Sequence, residues 1–298
     1  MNKAEARRIA ARIYRDIVQK RTSVRIHKAD PDSQLAREPV FLLGLYRSGT
    51  TPLRYSLGMD AKIATPPETD FLVPFLQALE HDRGLEGLAS LGFEADHIRS
   101  AYRYASDYFY SNYADSLGSG VQVVLDKSPS YVSYIDGLQT MFPKSKLICL
   151  TRHPLGQIGS ATRYGSIRPE IPDFPEGGAG VLADAIHYWN QNTTALLELS
   201  RSSSNALLVR YEDLCKSPEP VLREVFDFLE LPWNSDSLRY DGSSQDRGKE
   251  GAKALGLTSF NANMAEPTRG WQEADLMEVK SIWHSVKDTA SSLDYSID

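Results

Sequence analysis

A glycine-bracketed loop between an apolar run and a helical repeat constrains this chain more than any other feature. Val40–Leu43 is a short, wholly apolar run, the pattern of a strand buried on both faces. Residues 44–49 begin and end with glycine and make a tight turn, and helical spacing resumes over Thr50–Leu57. A strand, a loop and a helix in this order direct backbone N–H groups and a helix N-terminus at an anion. The sequence therefore predicts a phosphate-binding loop.

The spacing of this loop is that of a P-loop with one change. Gly44 is followed by four residues and then by Gly49, Thr50 and Thr51, so Thr50 stands where a nucleoside triphosphatase has lysine. That lysine serves the β- and γ-phosphates, and its absence argues against ATP or GTP chemistry. The positive charge lies inside the loop, at Arg47. We expect a phosphate-like anion here rather than a metal-bound triphosphate.

Apolar strand-like runs and helical repeats alternate along the rest of the chain. The predicted strands are 61–65, 121–125, 146–150 and Ala206–Arg210, and the predicted helices are 68–79, 83–117, 131–141, 154–164, 181–199, 218–229 and 273–289. Residues 165–180, rich in Pro and Gly, predict a mobile loop, and 241–263 are also loop-like. Alternation of this kind predicts an α/β fold, a P-loop-like parallel sheet flanked by helices on both faces in a single domain.

Charge is distributed unevenly in the 298 residues. Residues 1–28 hold nine Lys and Arg against two acids, a charge of +7, so the net charge of -6 leaves -13 for the remainder. The remainder is therefore a poor nucleic-acid surface. Residues 1–35 predict a basic N-terminal helix ahead of an α/β domain at 36–298. Packing on the protein surface is the favoured role of this helix; a transit peptide, a membrane-surface helix or a docking site for an acidic carrier protein are the alternatives.

Nothing in the composition indicates export or membrane insertion. No apolar run approaches the roughly 18–20 residues of a membrane span, and the N-terminus lacks the apolar core of a secretory signal. The two cysteines, Cys149 and Cys215, predict reduced thiols rather than a disulfide framework. We therefore expect a cytoplasmic protein.

Two separate motifs resemble one enzyme family. Tyr46-Arg-Ser-Gly-Thr-Thr51 resembles the 5′-phosphosulfate loop of sulfotransferases that use 3′-phosphoadenosine 5′-phosphosulfate (PAPS). Residues 150–160 resemble the 3′-phosphate motif of the same family, with a cation after a strand and a hydroxyl in the following helix. The resemblance implies that Arg47, Ser48, Gly49, Thr50 and Thr51 bind the 5′-phosphosulfate, and that Arg152 and Ser160 bind the 3′-phosphate.

The resemblance also implies the catalytic groups. Pro67-Glu-Thr69 resembles the segment that carries a general base in the tyrosylprotein and carbohydrate branches, which assigns that role to Glu68. Asp126-Lys-Ser-Pro129 resembles the segment whose lysine reaches the sulfuryl group, so Lys127 stabilises charge on the leaving 5′-phosphate, with Arg47 assisting from the other side. The alternative for Glu68 is a first-turn charge that stabilises a helix. His81, His97 and His187 lack the signature of the histidine base in cytosolic members.

Two further segments resemble parts of the nucleotide site. Residues 209–214 resemble a strand-end segment in which Tyr211 faces the nucleotide. Thr268-Arg-Gly-Trp271 resembles a C-terminal loop that closes over the 3′-phosphate, which implies roles for Arg269 and Gly270. The resemblance covers residues 40 to about 271.

Taken together, the motifs imply a metal-independent, PAPS-dependent sulfotransferase of the bacterial or tyrosylprotein-like kind, with an alcohol or phenol acceptor and 3′-phosphoadenosine 5′-phosphate (PAP) as product. A Mg²⁺-dependent P-loop kinase is an alternative, because Asp126 ends an apolar strand as a metal-binding Asp does. A non-catalytic nucleotide-binding scaffold is another. Residues 70–117 and 165–180 are expected to form the acceptor pocket, and neither stretch has a motif that identifies a substrate. The tyrosines of the first stretch are candidates to line the pocket, but amphipathic packing with a solvated hydroxyl is the more common role of such residues; they are Tyr102, Tyr104, Tyr108, Tyr110 and Tyr113.

Overall fold

A computed structural model describes residues 35, 37–80, 82–163, 181–239, 259–266 and 276–297. The predicted basic N-terminal helix, the predicted mobile loop at 165–180, Arg269 and Gly270 lie outside the described residues. All other residues assigned to the nucleotide site or to catalysis lie within the described ranges.

Five parallel strands form one sheet. They are β1 (Val40–Leu43), β2 (Ile63–Ala64), β3 (Val123–Asp126), β4 (Leu147–Thr151) and β5 (Ala206–Arg210), in the order β2-β3-β1-β4-β5. Strand β1 lies in the centre and pairs with β3 on one side and β4 on the other. Because every strand is parallel, all carboxyl ends lie on one edge, and the crevice where the strand order reverses is the usual ligand site of such sheets.

Helices cover both faces of the sheet, as predicted. The side chains of Phe41 and Leu43 enter one apolar cluster and those of Val40 and Leu42 enter another, because successive side chains of a strand point to opposite faces. The helices are α1 (Thr50–Leu57), α2 (Val73–Glu80), α3 (Asp82–Ala89), α4 (Ala95–Leu117), α5 (Ile135–Met141), α6 (Pro154–Arg163), α7 (Val181–Ser202), α8 (Tyr211–Lys216), α9 (Pro218–Phe228) and α10 (Leu276–Ser291). The predicted fold class is confirmed.

Most predicted elements differ from the structure by a few residues at their ends, and the helical stretch predicted at 83–117 forms two helices, α3 and α4. The helix predicted at 68–79 is α2, which begins at Val73, because Pro74 fits only the first turn of a helix. The strand predicted at 61–65 is reduced to the two residues of β2. The helix predicted at 131–141 divides into a 3₁₀ segment, Pro129–Tyr134, and α5.

Two predictions from composition can be compared with the described residues. Cys149 and Cys215 are both buried free thiols, as predicted, and burial raises the pKa of each thiol to about 12. Among the described helices, none combines the length and the apolar character that crossing a membrane requires.

Candidate active site at the carboxyl edge of the sheet

The loop between β1 and α1 has a backbone that requires glycine at one position. Gly49 has φ 102° and Arg47 has φ 67°, both in the left-handed region. A Cβ on Gly49 would lie 2.3 Å from Cδ2 of Tyr211, so a larger residue is excluded by sterics as well as by φ. The ring of Tyr211, at the start of α8, therefore packs directly against the loop.

The N-terminus of α1 and the loop before it are suited to an anion. The first turn of α1 has no acidic residue, and no side chain caps it within the described residues, so its first amides are available to a bound group. The Ser48 side chain is completely buried, and its hydroxyl has no hydrogen-bond partner among the residues that the structure describes. A phosphate oxygen would satisfy such a hydroxyl. This loop therefore fits the 5′ end of the nucleotide predicted from the sequence.

Lys127 connects this loop to Glu68. The Lys127 side chain is 1% exposed, its ammonium donates to Oγ1 of Thr51 at 3.1 Å, and it forms an ion pair with the Glu68 carboxylate. Glu68 is less buried than its partner, with 39% of the side chain exposed. The carboxylate thus faces solvent on one side and a buried cation on the other.

The backbone around Glu68 is held by neighbouring elements. An Arg54 guanidinium nitrogen donates to the carbonyl of Pro66 at 2.6 Å, and the Tyr113 hydroxyl donates to the carbonyl of Thr65 at 3.1 Å. Glu68 lies in the segment between β2 and α2, outside any helix. The alternative interpretation, in which Glu68 stabilises the first turn of a helix, is therefore wrong.

The second group of predicted residues comes together beside the loop. Nε of Arg47 donates to Oγ of Ser160 at 3.0 Å. Arg152 donates from Nη1 to the carbonyl of Arg47 at 2.8 Å, and its guanidinium lies 4.6 Å from the ring centre of Tyr211. Three segments that are distant in sequence, around residues 47, 152–160 and 211, thus place two guanidinium groups, one hydroxyl and one ring together. The side chain of Arg47 lies with this group.

Residues that the sequence analysis missed hold Arg152 and His153 in place. Nε1 of Trp189 donates to the carbonyl of Arg152 at 3.2 Å, and the backbone amide of His153 donates to Glu212 at 2.9 Å. Nε2 of His153 lies 2.9 Å from the carbonyl of Ser296. Burial lowers the pKa of His153 to about 4, so the ring is neutral at pH 7 and donates from Nε2. Apart from Glu212, which lies beside Tyr211, these partners had no local sequence signal.

Asp126 points away from this edge into the core. Its carboxylate accepts hydrogen bonds from Tyr110 at 2.6 Å and Tyr131 at 3.0 Å, and burial raises the pKa of Asp126 to about 6. Among the described residues, no group of three or more His, Cys, Asp and Glu side chains is placed to bind a metal ion. The geometry gives no support to the kinase alternative, in which Asp126 holds Mg²⁺.

Of the three histidines considered as alternative bases, His97 and His187 lie within the described residues. His97 accepts a hydrogen bond from the amide of Glu94 at 3.1 Å and completes the N-terminal cap of α4. His187 lies on α7, distant in sequence from the loop. His81 lies outside the described residues. Glu68 is the candidate base that contacts Lys127.

Comparison with known protein families gives one match over most of this region. The model described as "Sulfotransferase family" matches residues 39–235, which include the loop, Glu68, Lys127, Arg152, Ser160 and Tyr211.

Two relatives illustrate the level of similarity. "Nodulation protein NoeE" of Sinorhizobium fredii is 28% identical over 205 residues, covering 62% of this chain and 48% of the relative. "Protein-tyrosine sulfotransferase" of Drosophila melanogaster is 23% identical over 204 residues, covering 68% of this chain and 40% of the relative. The chain therefore spans half or less of the length of these relatives.

A solved structure shows the same fold. The sulfotransferase domain of the Synechococcus PCC 7002 olefin synthase superposes with a TM-score of 0.63 at 22% sequence identity, covering 89% of this chain and 98% of that domain. At this identity the likeness concerns the fold alone.

Proposed function

The chain belongs to the sulfotransferase family, and from this premise we propose that it transfers a sulfuryl group from PAPS to the hydroxyl of an alcohol or phenol. The observation that supports the proposal most is the position of Lys127, which contacts both Glu68 and Thr51. A carboxylate, a buried cation and a phosphate-binding loop are thereby adjacent. In-line transfer of a sulfuryl group requires a base for the acceptor hydroxyl, a cation for the charge on the leaving phosphate, and a loop that holds that phosphate.

The donor would lie along the crevice between the two groups of residues. Backbone amides and hydroxyls of Ser48, Gly49, Thr50 and Thr51 would hold the 5′-phosphosulfate, and the orphaned Ser48 hydroxyl supports this assignment. Arg152 and Ser160 would hold the 3′-phosphate, and Tyr211 would face the nucleotide. We assign Arg47 to the 3′ side because it donates to Ser160. Arg269 and Gly270 remain proposed donor contacts.

The reaction needs one proton acceptor and one charge stabiliser from the protein. Bound PAPS would supply an activated sulfuryl group and leave as PAP. The Glu68 carboxylate would take the proton of the acceptor hydroxyl while the acceptor oxygen bonds to sulfur and the bond from sulfur to the 5′-phosphate breaks. The Lys127 ammonium would stabilise the charge that develops on the departing oxygen. No metal ion has a role in this proposal.

PAP is expected to stabilise the fold without metal. At about 100 times its dissociation constant, a ligand that binds only the folded state adds about 2.7 kcal/mol to the free energy of unfolding. The measurement is the melting temperature with PAP, with adenosine 5′-monophosphate and with ATP·Mg²⁺. A response to ATP·Mg²⁺ alone would reject the proposed donor and favour a kinase.

Arg152→Ala is expected to weaken PAP binding tenfold or more, because a hydrogen bond to a charged group contributes about 1.5–3 kcal/mol. Adenosine 5′-monophosphate, which lacks the 3′-phosphate, should lose little affinity. Titration calorimetry of both nucleotides tests this. Arg223→Ala is the matched control, since Arg223 also lies over an aromatic ring, at 4.7 Å from the ring centre of Trp233. Equal losses for both nucleotides would contradict the 3′-phosphate assignment.

A further inference from the structure

Three aromatic side chains form a surface beside the Glu68 segment. Phe109 and Tyr108 of α4 are 55% and 67% exposed, and their ring centres are 5.7 Å apart. The ring of Phe71 packs edge-on against Phe109 at 5.5 Å. We call Phe71, Tyr108 and Phe109 the aromatic rim.

The rim lies close to the proposed catalytic groups. Phe71 is three residues after Glu68, and three residues span at most about 11 Å of extended chain. Its ring also contacts that of Tyr110 at 5.2 Å, and the Tyr110 hydroxyl donates to Asp126, the neighbour of Lys127. Tyr110, the residue after Phe109 on α4, therefore contacts the last residue of β3, which precedes Lys127 in the chain.

The chemistry of the rim favours an apolar ligand without negative charge. A ligand that covers exposed aromatic surface is stabilised by roughly 25 cal/mol for each Å² of apolar area removed from water. The residue directly before Phe71, Asp70, is exposed and acidic, and like charges repel an anionic ligand. A surface that is aromatic and bordered by this carboxylate discriminates against acidic and strongly hydrated groups.

We propose that the aromatic rim binds the apolar body of the acceptor, so that the acceptor is an uncharged alcohol or phenol with an alkyl chain or fused ring system. This inference rests on the proposed function, because it places the acceptor hydroxyl at Glu68. In this proposal, the part of the acceptor that does not react lies on Phe71, Tyr108 and Phe109.

A series of 4-alkylphenols with PAPS tests the proposal. Each buried methylene contributes about 0.8 kcal/mol, so kcat/KM should rise up to about fourfold per methylene while the chain covers the rim. In Phe109→Ala, kcat/KM should depend much less on chain length. The change should appear as a higher KM with kcat almost unchanged, because the lost contact stabilises the bound substrate and the transition state equally. Phe109→Leu should restore part of it.

Tyr104→Ala is the matched control. Tyr104 is 56% exposed, almost the same fraction as Phe109, but lies about 140° away around the helix. The chain-length dependence should persist in this variant. A phenol whose alkyl chain ends in a carboxylate should react more slowly than the neutral phenol of equal length.

Binding of the same phenols to the PAP-loaded protein, measured by calorimetry, separates this inference from the proposed function. Binding that tightens with chain length and weakens in Phe109→Ala supports the rim even if no sulfuryl transfer occurs, in which case only the proposed reaction is wrong. Transfer or binding without chain-length dependence would overturn the rim. The same dependence in Phe109→Ala as in the unaltered protein would also overturn it.

Discussion

Glu68→Gln is expected to lower kcat by roughly 10²–10⁴, the usual contribution of a general base. Glutamine keeps the size of the side chain and its position next to Lys127, but the amide cannot accept the acceptor proton at neutral pH. Affinity for PAP should change little, because Glu68 is not among the residues proposed to hold phosphate. Single-turnover rates with saturating PAPS and a reactive phenol measure the effect.

A second glutamate paired with lysine provides the control. Glu230 forms an ion pair with Lys146 at 2.6 Å, and Lys146 immediately precedes β4, at the edge of the sheet opposite the site. Glu230→Gln removes the same charge from an exposed glutamate–lysine pair and should leave kcat unchanged. A rate for Glu68→Gln within a factor of two of the unaltered protein would exclude Glu68 as the base.

Lys127→Met is expected to reduce kcat by about 10²–10³, the range measured when one preorganised group that stabilises developing charge is removed. Methionine keeps an unbranched side chain of similar length in a site where the lysine is almost fully buried. Removing one partner of a fully buried ion pair typically costs about 3–5 kcal/mol of stability. Loss of the Lys127 ammonium should cost less, because 39% of the Glu68 side chain is exposed and water can solvate the carboxylate.

Lys146→Met is the corresponding control. It breaks the surface ion pair with Glu230 and should leave kcat unchanged. The informative comparison uses sulfuryl donors whose leaving oxygens differ in basicity. If Lys127 stabilises the leaving oxygen, the rate loss should grow as that oxygen becomes more basic. A constant loss across the series would show that Lys127 acts only by holding Glu68 or Thr51 in position.

The loop and the central strands could be predicted from the sequence because their signals are local. Val40–Leu43, Thr50–Leu57 and Ala206–Arg210 have the predicted bounds, since apolar runs and glycines define them without help from distant residues. The start of α2 was predicted too early although Pro74 marked the correct position. Periodicity alone places the helix start at Glu68. In the structure, hydrogen bonds from Arg54 and Tyr113 to the carbonyls just before Glu68 hold a non-helical segment there.

The arrangement around the two cations could not be predicted from local pattern. The motifs identified Lys127 and Arg152 together with Glu68, Thr51 and Tyr211. They did not identify the residues that hold this segment from behind, because Trp189, Tyr110 and Ser296 approach from elements with no shared motif. The tyrosines of α4 show the same limit. Sequence alone could not separate tyrosines that pack from tyrosines that line a pocket, whereas the structure buries Tyr110 against Asp126 and leaves Tyr108 exposed. Helical phase together with the position of α4 decides which ring faces the core.

The contact between His153 and Ser296 also has a consequence for synthesis of the protein. The two residues are 143 positions apart, and at ribosomal speeds of about 5–20 residues per second the later one emerges roughly 7–30 s after the earlier one. During that interval β4 and Arg152, which follows it, have been made, but the segment around Ser296 that contacts His153 has not. The proposed nucleotide site thus matures after most of the sheet has been made, and, if PAP binds there, it should assist folding of the completed chain far more than that of nascent fragments.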